Sequence, residues 1–248
     1  MTNFLNKINQ LDAMLEQKEV HAQVQELNKI VATVKQRAIL PAAPRPLGFL
    51  PDELAGLSEQ GAPADQLKII NQLLNSLRQF LSINYGLWSL PNKITATAIK
   101  QQLNVHSALE IMAGNACWTK ALSEAGVTTV ATDSLEWSKT SSTGSQPFSK
   151  VIQLNAPNAI KQFNRVDLIL CSWAPNFNQA DLAAVRAWER YNPSAHLLFI
   201  GEKNGVTNSK QFWQKQNFNS TQELKLINQT FLSYDFINEQ IFEIEHEI

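Results

Sequence analysis

Five short segments of this 248-residue chain each place ligand-competent residues directly after an apolar run. They are Glu110-Ile111-Met112-Ala113-Gly114-Asn115-Ala116, Asp133, Asn155-Ala156, Ser172-Trp173-Ala174-Pro175-Asn176 and Glu202-Lys203-Asn204. Two of them imply a specific chemistry. Gly114, with Ala113 and Ala116 beside it, lets a ligand lie against backbone ahead of a helix N-terminus. Asp133 follows Glu110 by 23 residues, the separation at which a strand-end carboxylate accepts both hydroxyls of a ribose. A carboxylate suits that task because it only accepts, through two oxygens. Together the two segments predict a nucleoside-bearing ligand.

A dinucleotide site wants three glycines in G-x-G-x-x-G, because a pyrophosphate must approach the backbone closely. The stretch here has one glycine and an acid before it. Negative charge from Glu110 would repel a pyrophosphate and attract a ligand bearing an ammonium and a sulfonium. This favours S-adenosylmethionine and disfavours a nucleotide or NAD enzyme.

Glu110–Ala116 resembles the first motif of class I S-adenosylmethionine-dependent methyltransferases, an acid followed by alternate glycines. The longer stretch from Trp88-Ser89-Leu90-Pro91 through Glu110–Trp118 to Val130-Ala131-Thr132-Asp133 is similar to a poorly characterised branch of that family. That branch pairs W-x-x-P with E-x-x-A-G-x-x-x-W, and the resemblance covers roughly residues 85–205. It implies that Glu110 faces the methionine end of the cofactor, that Met112, Ala113, Gly114 and Asn115 line its path, that Asp133 binds the ribose, and that Asn155 binds the adenine amino group. Met112 and Ala116 replace two motif glycines, so the loop is expected to be conformationally tamer or the cofactor displaced outward. The segment Ser172–Asn176 (SWAPN) lacks the lead Asn/Asp and the aromatic end of an N-P-P-Y loop, so amino methylation of the DNA type is not expected.

Four further residues are substrate candidates. Trp118 is placed either to wall the cofactor pocket or to fill core, and Trp173 and Asn176 either meet substrate or shape their loop. Trp88, with Tyr85, either lids the site or packs at a junction. No catalytic residue is assigned, since none of His21, His106, His196 and His246 has a partner that makes it a base. Methyl transfer needs chiefly alignment, with a base only for a protonated acceptor. Cys117 and Cys171 form no disulfide framework and no metal site, and buried unreactive thiols are expected.

These segments need a scaffold that gathers strand ends. Short apolar runs at 107–112, 127–132, 151–154, 166–171 and 196–200 alternate with helical stretches near 115–125, 156–164 and 179–190. Alternation of this kind gives βαβ units, hence an α/β fold with a doubly wound, mostly parallel sheet. Residues 223–231 and 238–245 read as two strands of a C-terminal antiparallel hairpin. Ser138–Ser149 stands where a crossover helix belongs, and its Ser, Gly and Pro content predicts a loop.

Before residue 91 the pattern is all-helical, so the expected division is a helical region 1–90, with a linker at about 41–51, and a Rossmann-like domain 91–248. Residues 65–83 read as one helix. In residues 4–39, Val20, Val24, Leu27, Val31, Val34 and Ala38 recur at steps of 4 and 3. That seam serves either a homodimer or packing on the chain's own body, and fewer than three clean heptads favour the latter.

Composition narrows the function classes. A 44% hydrophobic fraction with 17% charge supports a large core. Lys plus Arg number 21 against 22 acids, and residues 1–100 hold 10 basic and 8 acidic residues, so no basic half offers a nucleic-acid footprint. No membrane-spanning run is present and Met1 opens a polar helix, which makes a reducing cytoplasm the expected location. The reading is methyl transfer from S-adenosylmethionine to an unidentified small-molecule or protein acceptor. The alternative is a non-catalytic member of the same fold acting as an interaction module.

Overall fold

The computed structural model describes residues 2–139, 143 and 146–246. Five helices come first: α1 (Thr2–Asp12), α2 (Lys18–Lys35), α3 (Pro51–Glu59), α4 (Ala64–Asn75) and α5 (Leu77–Tyr85). The five-residue step from Leu15 to Val20 separates α1 from α2. Val20, Val24, Leu27, Ile30, Val31 and Val34 are buried within the chain, and α2 packs against α1, α4 and α5. The helix expected over 65–83 is two helices. Ser76, at φ −91° and ψ 1°, turns the chain, and its hydroxyl donates back to the Gln72 carbonyl at 2.6 Å. Such back-bonding competes with the helical ladder and bends it. The proline-rich segment runs as an extended strap, anchored where Leu40 bridges Asn92 and where the Leu47 N–H donates to the Tyr234 carbonyl at 2.8 Å.

Helix α6 (Lys93–Gln102), whose Asn92 cap accepts the Thr95 N–H, then leads into the sheet. Its strands are β1 (Ser107–Glu110), β2 (Thr128–Asp133), β3 (Val151–Gln153), β4 (Leu168–Ser172), β5 (His196–Glu202) and β6 (Glu239–Glu243). Their spatial order is β3-β2-β1-β4-β5-β6, with all neighbours parallel except β5 and β6. The chain is thus a doubly wound α/β protein in which the strand order reverses between the adjacent strands β1 and β4, after a crossover from β3 to β4. Helix α7 (Cys117–Glu124) follows β1, α8 (Ala156–Gln162) follows β3 and α9 (Ala180–Tyr191) follows β4.

The C-terminal expectation is corrected in one respect. The antiparallel edge is present, with Phe242 opposite Phe199, but its partner is β5 rather than a 223–231 strand. That segment is helix α11 (Gln222–Gln229), preceded by the short α10 (Lys210–Lys215). The Thr221 hydroxyl caps α11 by accepting the Leu224 N–H at 3.2 Å, and Leu224 and Ile227 are its buried pair, an i,i+3 spacing. The loop expected at 138–149 falls partly on residues 140–142, 144 and 145, which lie outside the described residues. Its flanks hold a single turn at Trp137–Lys139 and a Phe148 N–H donated to the Asn115 carbonyl at 2.7 Å.

Period-two alternation splits the core between the sheet's two faces. Leu168, Leu170, Leu198 and Ile200 join one buried cluster, which runs on through Trp118 into α2, α4 and α5. Ile169, Cys171, Leu197 and Phe199 join the other, with Ile160, Trp188, Phe212 and Trp213. The helical region therefore shares a continuous core with one face of the sheet. No helix among the described residues is long and apolar enough to cross a membrane.

A buried ionic joint ties α5 to β6. Arg78 donates to both oxygens of Asp235, at 2.7 and 2.9 Å, and to Glu239 Oε2 at 2.9 Å. Its guanidinium lies 4.7 Å from the Trp173 ring centroid and 4.4 Å from that of Tyr234. Burial opposes the charge on Arg78, but the Asp235 hydrogen bond and the Glu239 charge outweigh it and raise the guanidinium pKa.

Candidate functional site

The loop between β1 and α7 is built around three left-handed residues at alternate positions. Met112 has φ +50°, Gly114 +53° and Ala116 +55°. The expectation of a tamer loop is therefore corrected: the backbone keeps a glycine-like path although two of the three positions carry side chains. Each such residue costs about 1–2 kcal/mol, so the surroundings must impose the path. The Ala113 N–H donates to the Thr132 carbonyl at 3.0 Å, the Ala116 N–H to the Ala113 carbonyl at 2.8 Å, and the Gly114 N–H to Asp133 Oδ2 at 2.8 Å. Beside Gly114 a Cβ would meet nothing within 4 Å. The loop thus has an open side at the glycine and a fixed one elsewhere.

Asp133 ends β2 and is buried. Besides Gly114 it accepts the Leu135 N–H at 2.7 Å and the Trp137 indole N–H at 3.2 Å, both on Oδ1. Three donors on a group with about four acceptor positions hold it beside the loop and leave it capacity for one more.

Glu110 ends β1 and is buried as well, but it addresses its own chain. Its Oε2 accepts both the N–H and the hydroxyl of Thr119 in the first turn of α7. Burial pushes its carboxyl up to about 7, the two Thr119 bonds pull the other way, and the Asp133 charge adds to the rise. A carboxyl that holds its proton near neutrality is a weaker attractor for an ammonium than the sequence suggests.

Asn115 lies 2% exposed in the loop. Its Nδ2 donates to the Tyr85 carbonyl, while its Oδ1 is buried with no hydrogen-bond partner among the described residues. Gly86 sits against it so closely that a Cβ there would come 2.6 Å from Asn115 Nδ2. Asn155 does not join this group by any hydrogen bond. Its exposed side chain caps α8 by accepting the Asn158 N–H at 3.1 Å.

The substrate candidates divide. Trp88 and Trp173 stack, with centroids 5.3 Å apart and planes 19° apart. Trp118 is core: its indole donates to Ser89 Oγ at 3.3 Å and its ring packs on Phe231. Asn176 is exposed beyond β4. Cys117 and Cys171 lie in opposite core clusters, and burial, reinforced by Glu110, pushes both thiols up. Thr119, Trp137 and the packing of Gly86 on Asn115 were not anticipated, whereas Tyr85, expected to lid the site or pack at a junction, meets the loop through its main-chain carbonyl. Of these, only the Gly86 helix stop, with φ +64°, left a sequence signal.

No family model and no curated protein matches the chain. Solved structures of similar topology include a Nostoc punctiforme protein assigned as an O-methyltransferase, at 12% identity and TM-score 0.38 over 62% of this chain. The chain spans 56% of that protein's length. An rRNA methylase from Streptococcus thermophilus matches at 13% identity and TM-score 0.36 over 62% of this chain and 96% of its own. The magnesium protoporphyrin IX methyltransferase of Synechocystis, solved with bound S-adenosylmethionine, matches at 12% identity and TM-score 0.38 over 73% and 96%.

Proposed function

We propose that the chain binds S-adenosylmethionine in the crevice formed by residues 112–116 and Asp133, and transfers its methyl group to an acceptor. The observation that carries this reading is the triple of left-handed residues at 112, 114 and 116. Strained backbone persists where the surroundings over-determine it, and it gathers at ligand sites. An interaction module has no need of that path, so its retention at Met112 and Ala116 favours the cofactor reading over that alternative.

Two features fit the cofactor. Gly114 presents open backbone, and the buried Asn115 Oδ1, with no partner among the described residues, could accept a hydrogen bond from the ligand. Asp133 would take a ribose hydroxyl in its remaining acceptor position or in place of the long Trp137 bond. Held there by Gly114, Asn115 and Asp133, the cofactor would supply an electrophilic methyl group to the acceptor's lone pair. The chain's residues then have to bind, align and exclude water, which is where proximity gives its rate advantage. The helical region 1–90 serves in this proposal as the cover, since Tyr85 and Gly86 already meet the loop.

Asp133→Asn is the test. It keeps one carbonyl acceptor and removes the charge, so affinity for S-adenosylmethionine falls about tenfold or more, from the loss of about 1.5–3 kcal/mol in charged hydrogen bonding. Unaltered affinity in a folded variant removes the ribose assignment.

A further inference from the structure

Trp88 is the outer member of a column of planar groups running Trp88, Trp173, Arg78 and Tyr234. Three of these are fixed from within. The Trp173 indole donates to Glu239 Oε1 at 2.8 Å, Arg78 holds Asp235 and Glu239, and Tyr234 is 2% exposed. Trp173 also stands at φ +54°, a conformation that bulky residues rarely adopt. Trp88 is different. It is 50% exposed and its ring is stacked on one side by Trp173.

The column stands at the crevice of the sheet. Trp173 directly follows β4, and the Trp88 segment is held against the loop after β1 by Asn115 bonding to the Tyr85 carbonyl and Trp118 to Ser89. Strands β1 and β4 are neighbours at the point where the strand order reverses, and ligands of open α/β sheets bind outside the carboxyl ends at that point. The same end of the sheet carries Phe177, Val206 and Phe236, exposed by 62%, 49% and 76%. Glu202 draws the last two segments together by accepting the Val206 N–H at 3.1 Å and the Asn238 N–H at 3.3 Å. The opposite, amino end of the strands has a polar hollow of about 410 Å³ lined by Asn104, Asn164, Arg165, Asn192 and His196. The carboxyl end of the strands thus offers exposed apolar and aromatic side chains where its amino end offers a polar hollow, and apolar surface beside a crevice suits a binding site. The charge beneath points the same way. The Arg78 guanidinium within the column is already engaged by two carboxylates, so the column itself offers no unpaired charge to an anionic ligand.

We infer that the Trp88–Trp173 pair is the acceptor wall and that the acceptor presents an uncharged planar aromatic group, stacked on the outer face of Trp88. The word acceptor rests on the proposed methyl transfer, whereas the stacking site rests on the geometry of the column. Nothing in the column acts as a base, and the wall's role is to hold the ring against the open side of the cofactor loop.

The test uses the full chain and 2-naphthol at neutral pH, followed by calorimetry, with 2-naphthoate, cyclohexanol and a short single-stranded oligonucleotide as comparison probes. The expected result is saturable 2-naphthol binding that Trp88→Ala weakens about tenfold, the upper range for one aromatic contact, and that Trp88→Phe largely retains. Cyclohexanol and 2-naphthoate bind more weakly than 2-naphthol. Equal affinity in Trp88→Ala overturns the wall, and tighter binding of 2-naphthoate or of the oligonucleotide overturns the uncharged aromatic acceptor. Titrating the same samples with S-adenosylmethionine separates the two claims. Cofactor binding without 2-naphthol binding sinks the wall alone, and Trp88-dependent 2-naphthol binding without cofactor binding sinks the methyl transfer.

Discussion

Replacing Arg78 with Met isolates the joint between the helical region and the sheet edge. The side chains involved are nearly dry: Arg78 is 5% exposed, Asp235 2% and Glu239 1%. Arg78→Met deletes the three N–H···O bonds of 2.7 to 2.9 Å to the carboxylates and the donation to the Trp88 carbonyl. It also leaves two carboxylates facing each other with one remaining donor apiece, the Ile237 N–H on Asp235 and the Trp173 indole on Glu239. Removing one partner of a buried pair costs about 3–5 kcal/mol, most of it the uncompensated charge left behind. Two stranded acids put this site at the upper end, about 4–5 kcal/mol. Against a typical total of roughly 5–15 kcal/mol, that is a large fraction. Urea denaturation at pH 7.5 and pH 5 provides the assay. Stranded buried carboxylates take up protons more readily than in the unfolded chain, so the variant recovers part of its loss as pH falls. A loss below about 1 kcal/mol, or one identical at both pH values, refutes the view that Arg78 works by neutralising these acids.

Three further outcomes follow from the same geometry. Gly114→Ala adds a methyl that meets nothing within 4 Å among the described residues, so it costs only about 1–2 kcal/mol of backbone strain. It nevertheless lowers S-adenosylmethionine affinity more than tenfold by occupying the ligand's path, and calorimetry showing unchanged affinity contradicts the cradle. Glu110 keeps its proton to about pH 7 when folded against 4.5 as a free group, so the folded state binds more protons between these values and stability falls as pH rises. Glu110→Gln removes that slope, about 3 kcal/mol across the window, measurable by denaturation at pH 4.5 and 8. The Glu243 hydrogen bond raises the His196 pKa above 6.5 against the effect of burial. Its contribution is therefore complete below pH 6.5 and is lost as pH rises through the folded value. His196→Gln abolishes that loss, which is below about 1 kcal/mol because the ring is a third exposed.

Local pattern carried the sheet and the positions of the cofactor candidates. Runs such as Val166–Cys171 and His196–Ile200 alternate between two buried faces, so period and composition alone mark them as strands. Segment 223–231 misled because Leu224 and Leu226 mimic a strand's period. Leu226 is 37% exposed, whereas Leu224 and Ile227 bury a helical face, a choice made by packing against α6. The loop at 112–116 misled for a similar reason. Absent glycines argue for relaxed backbone, yet hydrogen bonds donated by Ala113 and Gly114 to Thr132 and Asp133, distant in sequence, hold the loop on its left-handed path. Arg78 pairs with residues 157 and 161 positions away, a relation no window of sequence reveals. Asn155 was legible only as a strand-end residue, and a strand-end Asn serves equally as a helix cap, the contact its side chain makes here.

A cofactor site formed by residues 112–116 and Asp133 has a distinctive ligand pattern that calorimetric titration of the purified chain reads out. The ligands are S-adenosylmethionine, S-adenosylhomocysteine and NAD, each titrated separately. Micromolar binding of the first two and none of the third is expected, because one open glycine suits a ligand without a pyrophosphate. Failure of both S-adenosyl ligands to bind, or a preference for NAD, would contradict it.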